Sequence, residues 1–220
     1  MSYVSILARE LKVISCSGSG AAQVVLLFAV IVGTALFVLP PESVHGVMPC
    51  LFWVCGASVM QASIRSSFED DYHSGVLEQL LMQNLLPETV MFFKILAHWL
   101  CVAVPISLAS AVMQLLVLGG SVYYAAVLGL VLSGGFLVVN FVSAVGHALV
   151  LGGERGLITA QVLVFPMIVP VVVCFHLCLE SMIDLTYSKA TALLGVGVLC
   201  LVPISVFFVL AAVRLAVEKD

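Results

Sequence analysis

The stretch FEDDYHSGVLEQLLMQNLLPETVMFFK, from Phe68 to Lys94, separates two long apolar segments of the chain. It holds five of the twelve acidic residues, namely Glu69, Asp70, Asp71, Glu78 and Glu88. A long polar segment between apolar segments of membrane-spanning length is typical of a loop that lies outside a bilayer. The stretch therefore predicts two membrane-crossing helices joined by an unusually elaborate connection.

The composition of the whole chain agrees with a membrane protein. Of its 220 residues, 63% are hydrophobic and 9% are charged, and the mean hydropathy is +1.25. A soluble domain carries roughly 25% charged residues because its surface faces water. Most of the seven cysteines lie in apolar runs, where cysteine is usually a small buried hydrophobe rather than half of a disulfide. The surface of this chain must therefore face mainly lipid.

Six segments are long and apolar enough to cross a bilayer, which takes about 20 residues. We predict spans at Ala22–Pro41, Gly46–Ile64, Ile95–Leu118, Tyr123–Leu149, Leu157–Leu179 and Ala190–Val213. The first is longer than the roughly 7–15 apolar residues of a signal peptide, so we expect it to be retained. The prediction is a single all-α integral membrane domain over residues 1–220 with six transmembrane helices.

The positions of lysine and arginine predict the orientation. With six spans and both termini in the cytoplasm, only Lys189 falls on the outer side, and cytoplasmic loops are enriched in these residues. The predicted cytoplasmic set is Arg9, Lys12, Arg65, Lys94, Arg155, Arg214 and Lys219.

Two segments are predicted not to span. Within residues 1–20, one helical stripe carries Val4, Leu7, Leu11 and Ile14, and Arg9, Glu10 and Lys12 are expected to lie off it. This pattern is typical of a short helix in the headgroup layer. A frayed tail is the alternative. The other is the segment of residues 65–94, which we term the coupling segment.

The coupling segment carries signals for a short amphipathic helix. Asp70, Asp71 and Ser74 are residues that favour a helix start. Gly75 interrupts, and VLEQLLMQ then has high helix propensity before Pro87 ends it. The apolar face of this helix consists of Val76, Leu77, Leu80 and Leu81.

Three interpretations of that helix are open from the pattern. It lies on lipid, it folds back on the ends of the spans, or it presents its leucines to a soluble partner. Its acids disfavour the first, because interfacial helices favour lysine and arginine against anionic lipid. Of the other two, we favour presentation of the leucines to a soluble partner, with folding back on the spans as the alternative.

FEDDYHSGVLEQLLM, followed by KILAHWL and Pro105, resembles the heme exporter protein B (CcmB) family, the membrane subunits of ABC transporters for cytochrome c maturation. The likeness covers the length and the six-span layout. One departure is NLLPE, which keeps Pro87 where the family has a longer proline-leucine run. The matching positions are Phe68, Asp70, Asp71, Gly75, Leu77, Glu78, Gln79, Leu80, Lys94, Ala97, His98 and Trp99.

The resemblance implies a fold like that of ABC exporter permeases in the bacterial inner membrane. It implies an interfacial N-terminal helix, and a coupling helix at Gly75–Met82 that docks on a separate ATPase subunit carrying the ATP. It further implies companion heme-handling membrane proteins and a second permease half. The implied partner-binding residues are Asp70, Asp71, Gly75, Val76, Leu77, Glu78, Gln79, Leu80 and Leu81, and the implied packing motif is Lys94, His98, Trp99 and Pro105.

The motifs of several enzyme classes are absent from the sequence. There is no P-loop, since GGERG at 152–156 lacks the lysine and hydroxyl residue that follow. HExxH and GxSxG are also absent. We therefore predict a non-catalytic subunit with no metal site, no cofactor of its own and no nucleic-acid partner. Passage of heme through the chain, and the roles of His45 and His176, are left open.

Polar side chains within the predicted spans are few. Gln61, Gln114, Asn140 and Gln161 are expected to make hydrogen bonds between helices. No Asp or Glu lies in the middle of a span, which argues against a proton-coupled carrier because that mechanism needs a titratable relay. A membrane scaffold that recruits a soluble partner, or a secondary carrier, is the alternative to the transporter permease.

Overall fold

The structure is a computed structural model that describes residues 3–16, 21–81, 86–151, 156–183 and 205–214. These residues form helices and turns, and no strand occurs among them. In chain order the helices are α1 (Tyr3–Cys16), α2 (Ala21–Val38), α3 (Pro41–His73), α4 (Val76–Leu81), α5 (Pro87–His98), a π-helical turn (Trp99–Ala103), α6 (Val104–Leu116), α7 (Val122–Ala148), α8 (Gly156–Ile183) and α9 (Ser205–Arg214).

The first four predicted spans coincide with helices that are long and apolar enough to cross a membrane. These are Ala21–Val38, Glu42–His73, Pro87–Leu116 and Val122–Ala148. The fifth predicted span falls on α8. Within α8, the apolar part Val164–Leu179 is shorter than the four membrane-length helices. The sixth lies partly outside the described residues, which include only its last part as α9. The all-α fold is confirmed, and the count of six spans stays a prediction.

Helix α3 extends well beyond its predicted end. It continues through Asp70 and Asp71 to His73, so these acids lie in its last turn, and the prediction that they begin a helix was wrong. The break comes at Gly75, whose φ of 68° is a left-handed conformation that favours glycine. Just before it, the Ser74 hydroxyl donates to the carbonyl of Asp70 at 2.7 Å. The polar side chains thus continue the helix, and the glycine ends it.

The third predicted span begins earlier than expected and changes its winding part-way. Helix α5 starts at Pro87, as prolines favour the first turn of a helix, and passes into α6 through the π-helical turn. Pro105 stands directly after this turn. A proline inside a helix removes one hydrogen bond and clashes with the carbonyl four residues earlier, and wider winding just before it relieves that clash.

The centre of the bundle is built around aromatic side chains at the contact of α3, α7 and α8. Trp53 is fully buried and lies edge-on to Phe136, with 5.2 Å between ring centroids, and 5.7 Å from Phe175. Gly56 and Gly135 make this possible, because a Cβ atom at either position would overlap an aromatic ring. Helices α3 and α7 therefore approach more closely than two side chains would permit.

A second apolar cluster lies where α3, α4, α5, α7 and α9 meet. It holds Phe68 near the end of α3, Leu77 of α4, Met91 near the start of α5, Ala148 at the end of α7 and Val213 near the end of α9. These positions belong to one end of the bundle. The elements of the coupling segment are thus packed against the ends of the long helices.

Candidate functional site

The end of the bundle that contains the coupling segment also collects basic side chains. We call it the charged end and define it by Arg9 on α1, Arg65 on α3 and Lys94 on α5. Val213, which precedes Arg214, belongs to the apolar cluster at the same end. The structure therefore gathers at one end several of the residues that were predicted to share the cytoplasmic side.

Lys94 is the centre of an ionic cluster that is almost closed to solvent. The residue is 2% exposed, and its Nζ donates to Asp71 Oδ2 and lies 3.6 Å from Glu10 Oε2. The ring of Phe68 covers it, with the Nζ 5.4 Å from the ring centroid. A buried ammonium needs such partners, because losing its hydration costs several kcal/mol. Lys94 thus connects α5, on which it lies, to α1 and to the end of α3.

Glu10 is a member of this ionic cluster that is not among the candidate site residues predicted from the sequence. Its Oε1 lies 3.4 Å from Arg9 Nη1, and the residue is 2% exposed. The expectation that Glu10 lies off the apolar stripe of α1 was wrong, because Glu10 is three residues after Leu7 and four before Ile14 and is itself buried. An acid on the buried face of a helix requires a basic partner. That partner, Lys94, is remote in sequence.

One turn further along, His98 is held by two neighbouring helices. It is 2% exposed, its Nδ1 lies 2.9 Å from Asn140 Oδ1, and its Nε2 lies 3.0 Å from Ser63 Oγ. The amide nitrogen of Asn140 donates to the carbonyl of Ile95 at 2.9 Å. Because that carbonyl can only accept, Oδ1 faces His98, and a neutral ring then carries its proton on Nδ1.

The neighbouring Trp99 also bonds across the bundle. Its indole nitrogen donates to the carbonyl of Ser133 on α7 at 2.9 Å. His98 and Asn140 are therefore joined by an interhelical hydrogen bond of the kind that was predicted for Asn140. Together with Trp99 they fix α5 and the π-helical turn against α3 and α7.

Replacing Asn140 with leucine is expected to lower the free energy of unfolding by about 1–2 kcal/mol, as interhelical hydrogen bonds in membranes contribute amounts of this order. The change keeps the number and branching of the side-chain heavy atoms and leaves the His98 Nδ1 without its partner. It also removes the side-chain bond to the Ile95 carbonyl, which still accepts from the Trp99 backbone amide. Unfolding in detergent measures the effect. Ser110→Ala is the matched control, because the buried Ser110 hydroxyl bonds only within its own helix, to the carbonyl of Ile106. Equal losses in both variants would contradict the assigned role of Asn140.

The predicted docking residues divide by exposure. Leu77 is 1% exposed and packs inside the chain, so the structure removes it from the predicted apolar docking face. Val76 is half-buried, whereas Glu78, Gln79 and Asp70 are exposed. The side chains of Leu80 and Leu81 lie outside the described residues. What α4 presents to its surroundings, among the described side chains, is mainly polar and acidic.

Comparison with known proteins places this architecture in a family. The family model described as CcmB protein matches residues 1–216. The chain belongs to the CcmB family. Heme exporter protein B of Haemophilus influenzae is 29% identical over 224 residues, covering 100% of both chains. The protein of that name from Pseudomonas aeruginosa is 29% identical over 170 residues, covering 76% of each, and the one from Escherichia coli K12 is 27% identical over 223 residues, covering 99% of this chain and 100% of the relative.

The residues that carried the resemblance to the CcmB family have separate structural roles. Phe68, Asp71 and Lys94 meet in the ionic cluster, whereas Gly75 forms the turn and Leu77 fills the core beneath it. Only Glu78, Gln79 and Asp70 of the described set face outward. Most of the motif therefore shapes the charged end from within.

His45 and His176, whose roles the sequence left open, are not part of the ionic cluster around Lys94. His45 is exposed in the first turns of α3, and His176 is half-buried on α8 between Cys174 and Cys178. Side chains two positions apart on a helix are separated by about 200° around its axis. His176 therefore points to a different side of α8 from Cys174 and Cys178, which are each two positions away. Among the residues that the structure describes, no three His, Cys, Asp or Glu side chains converge to hold a metal ion.

Proposed function

We propose that this chain is the membrane subunit of an ABC transporter for cytochrome c biogenesis. It couples ATP hydrolysis on a separate subunit to export of heme, or to release of a heme-loaded chaperone, at the outer face of the bacterial inner membrane. The observation that carries the proposal is the family match over residues 1–216, with full-length relatives named heme exporter protein B. Four long apolar helices support a multi-pass membrane protein.

The proposed ATPase contact is the outer surface of the charged end. Basic residues favour the cytoplasmic side of a membrane, where a soluble ATPase is available, and both termini would then be cytoplasmic. The exposed Asp70, Glu78 and Gln79 offer acidic and amide groups to a basic surface on the partner. Leu77 supports α4 from below, so Glu78 and Gln79 are the side chains of α4 that we propose for the contact among those the structure describes.

A partner must supply the nucleotide chemistry under this proposal. The sequence has no P-loop, so ATP binds on the other subunit. ABC transporters work with two membrane halves, so a second copy or another permease completes the pathway. Heme is the cargo of the system here, not a resident cofactor of this chain. Companion heme-handling membrane proteins would receive or present it.

Purification of the tagged chain from its native membrane tests the proposal. We expect a soluble ATPase to co-purify, identified by mass spectrometry and by ATP hydrolysis. The double variant Asp70→Lys plus Glu78→Lys should lower its recovery about tenfold or more, because like charges then face each other across the contact.

Glu42→Lys is the matched control for charge reversal. Glu42 is also an exposed acid on α3, but it lies in the first turn, at the opposite end of a helix of 33 residues. Recovery of the ATPase should be unchanged in this variant. Absence of any ATPase from the wild-type preparation would overturn the proposed function. Equal recovery with all variants would overturn the docking surface.

A further inference from the structure

The N-terminal helix α1 packs closely against one neighbour and is separated from another by a cleft. On one side α1 packs along α5 and the π-helical turn, where the carbonyl of Leu11 lies 4.0 Å from Cys101 Sγ. On the other side it faces α3 across a cleft of about 40 Å³. The lining of this cleft includes Val13 and Ile14 from α1 and Ser63, Ser67 and Asp70 from α3.

The ionic cluster lies beside this cleft and bridges it. Lys94 reaches from α5 to Glu10 on α1 and to Asp71 on α3 at the same time. Asp71 is only four residues before Gly75, where the chain turns into α4. One lysine therefore links the segment just before α4 to the N-terminal helix.

We propose that Lys94 and Glu10 are positioning residues that join α1 to the coupling segment, so that both move as one body when the ATPase acts on that segment. This inference rests on the proposed function for the source of the movement. Its structural half, that Glu10 holds α1 in place, stands on the distances and burial alone. The ring of Phe68 and the closed surroundings strengthen the link, because charges attract more strongly where water is excluded.

Glu10→Gln tests the structural half with little risk to folding. The change keeps the shape, removes the charge on α1, and leaves Lys94 bonded to Asp71. Cys101 serves as the reporter, since it lies under α1. In a variant that keeps Cys101 and replaces the other cysteines with alanine, we expect Glu10→Gln to raise the rate of labelling by N-ethylmaleimide about fivefold.

Lys12→Gln is the matched control for charge removal from α1. Lys12 is exposed and takes no part in the cluster. Its substitution should leave the labelling rate of Cys101 unchanged. An unchanged rate in Glu10→Gln as well would overturn the assignment of Glu10 as a positioning residue.

ATP hydrolysis by the purified complex tests the functional half. We expect Glu10→Gln to retain the co-purified ATPase and the KM for ATP, because neither nucleotide contact nor docking surface has changed, and to lower kcat about fivefold. Glu10→Asp, which restores the charge, should recover part of kcat. A merely structural role would lower the yield of complex without changing the kcat of what assembles.

The outcomes separate this inference from the proposed function. If the wild-type chain brings down no ATPase, the proposed function fails, and the labelling of Cys101 still decides the role of Glu10. If the ATPase is present and kcat is the same in wild type and Glu10→Gln, the joint between α1 and the coupling segment does not transmit movement. The proposed function would then stand without it.

Discussion

Replacing Lys94 with methionine is expected to lower the free energy of unfolding by about 3–5 kcal/mol, the cost of removing one partner from a buried ion pair. Methionine keeps the length and most of the volume of the side chain. It takes the lysine ammonium away from Asp71 and Glu10, whose side chains are 15% and 3% exposed, while Glu10 keeps its contact with the partly exposed Arg9 at 3.4 Å. Unfolding in detergent, followed by circular dichroism, measures the loss.

Two further variants make this prediction specific to burial and pairing. Arg65→Met removes the cation of the Arg65–Glu69 pair on α3. Because this pair is partly exposed, the expected loss in the free energy of unfolding is about 0.5 kcal/mol or less. The triple variant Lys94→Met, Asp71→Asn and Glu10→Gln removes all three charges. It should be more stable than Lys94→Met by itself, because no buried charge is left uncompensated. The reverse order would show that the cluster does not behave as a buried ionic unit.

Replacing Gly135 with alanine is expected to cost about 3 kcal/mol, at the upper end of the usual range for overpacking a core. A Cβ atom at this position would overlap the ring of Trp53, with 2.6 Å to its Cζ3, and would lie 3.0 Å from Phe175 Cγ. Trp53 is fully buried between Phe136 and Phe175, so its ring has little room to move. A fall in the thermal unfolding midpoint in detergent measures the effect.

Gly134 provides the control one residue away. A Cβ atom there would meet Phe175 Cε1 at 3.5 Å, which is ordinary van der Waals contact. Gly134→Ala should therefore leave stability unchanged or raise it slightly, as alanine favours a helix over glycine by up to about 1 kcal/mol. Similar losses at Gly134 and Gly135 would contradict the close approach of α3 and α7.

The existence of the main helices could be predicted from the sequence, but several of their ends could not. Long apolar runs predicted the first four membrane-length helices. The turn before α7, where Ser121 caps the helix by accepting from the Tyr124 amide, falls between the third and fourth predicted spans. The end of α3 was misplaced because polar residues were taken as the end of a helix. Asp71 is tolerated in the last turn since Lys94 compensates its charge.

Part of the candidate site was also accessible from the sequence. The resemblance implied that Lys94 and His98 are packing residues, but it gave Asp71 as a partner-binding residue and did not indicate its contact with Lys94. Glu10 was missed because its partner is 84 positions away, and local periodicity does not reveal pairs so distant in sequence. Leu77 was assigned to a docking face because an amphipathic pattern does not show which surface covers it.

The sequence by itself determined that the surface of this chain faces mainly lipid, because so few charged residues cannot cover a water-facing surface. It also determined that many of the acidic residues lie in the segment between two long apolar helices. The tertiary structure decided which of those charges meet water. It buried Lys94 and Glu10, placed the half-buried Asp71 against Lys94, and left Asp70 and Glu78 exposed. The physical reason is that hydropathy is a property of each residue, whereas the cost of burying a charge depends on the partner that folding brings to it.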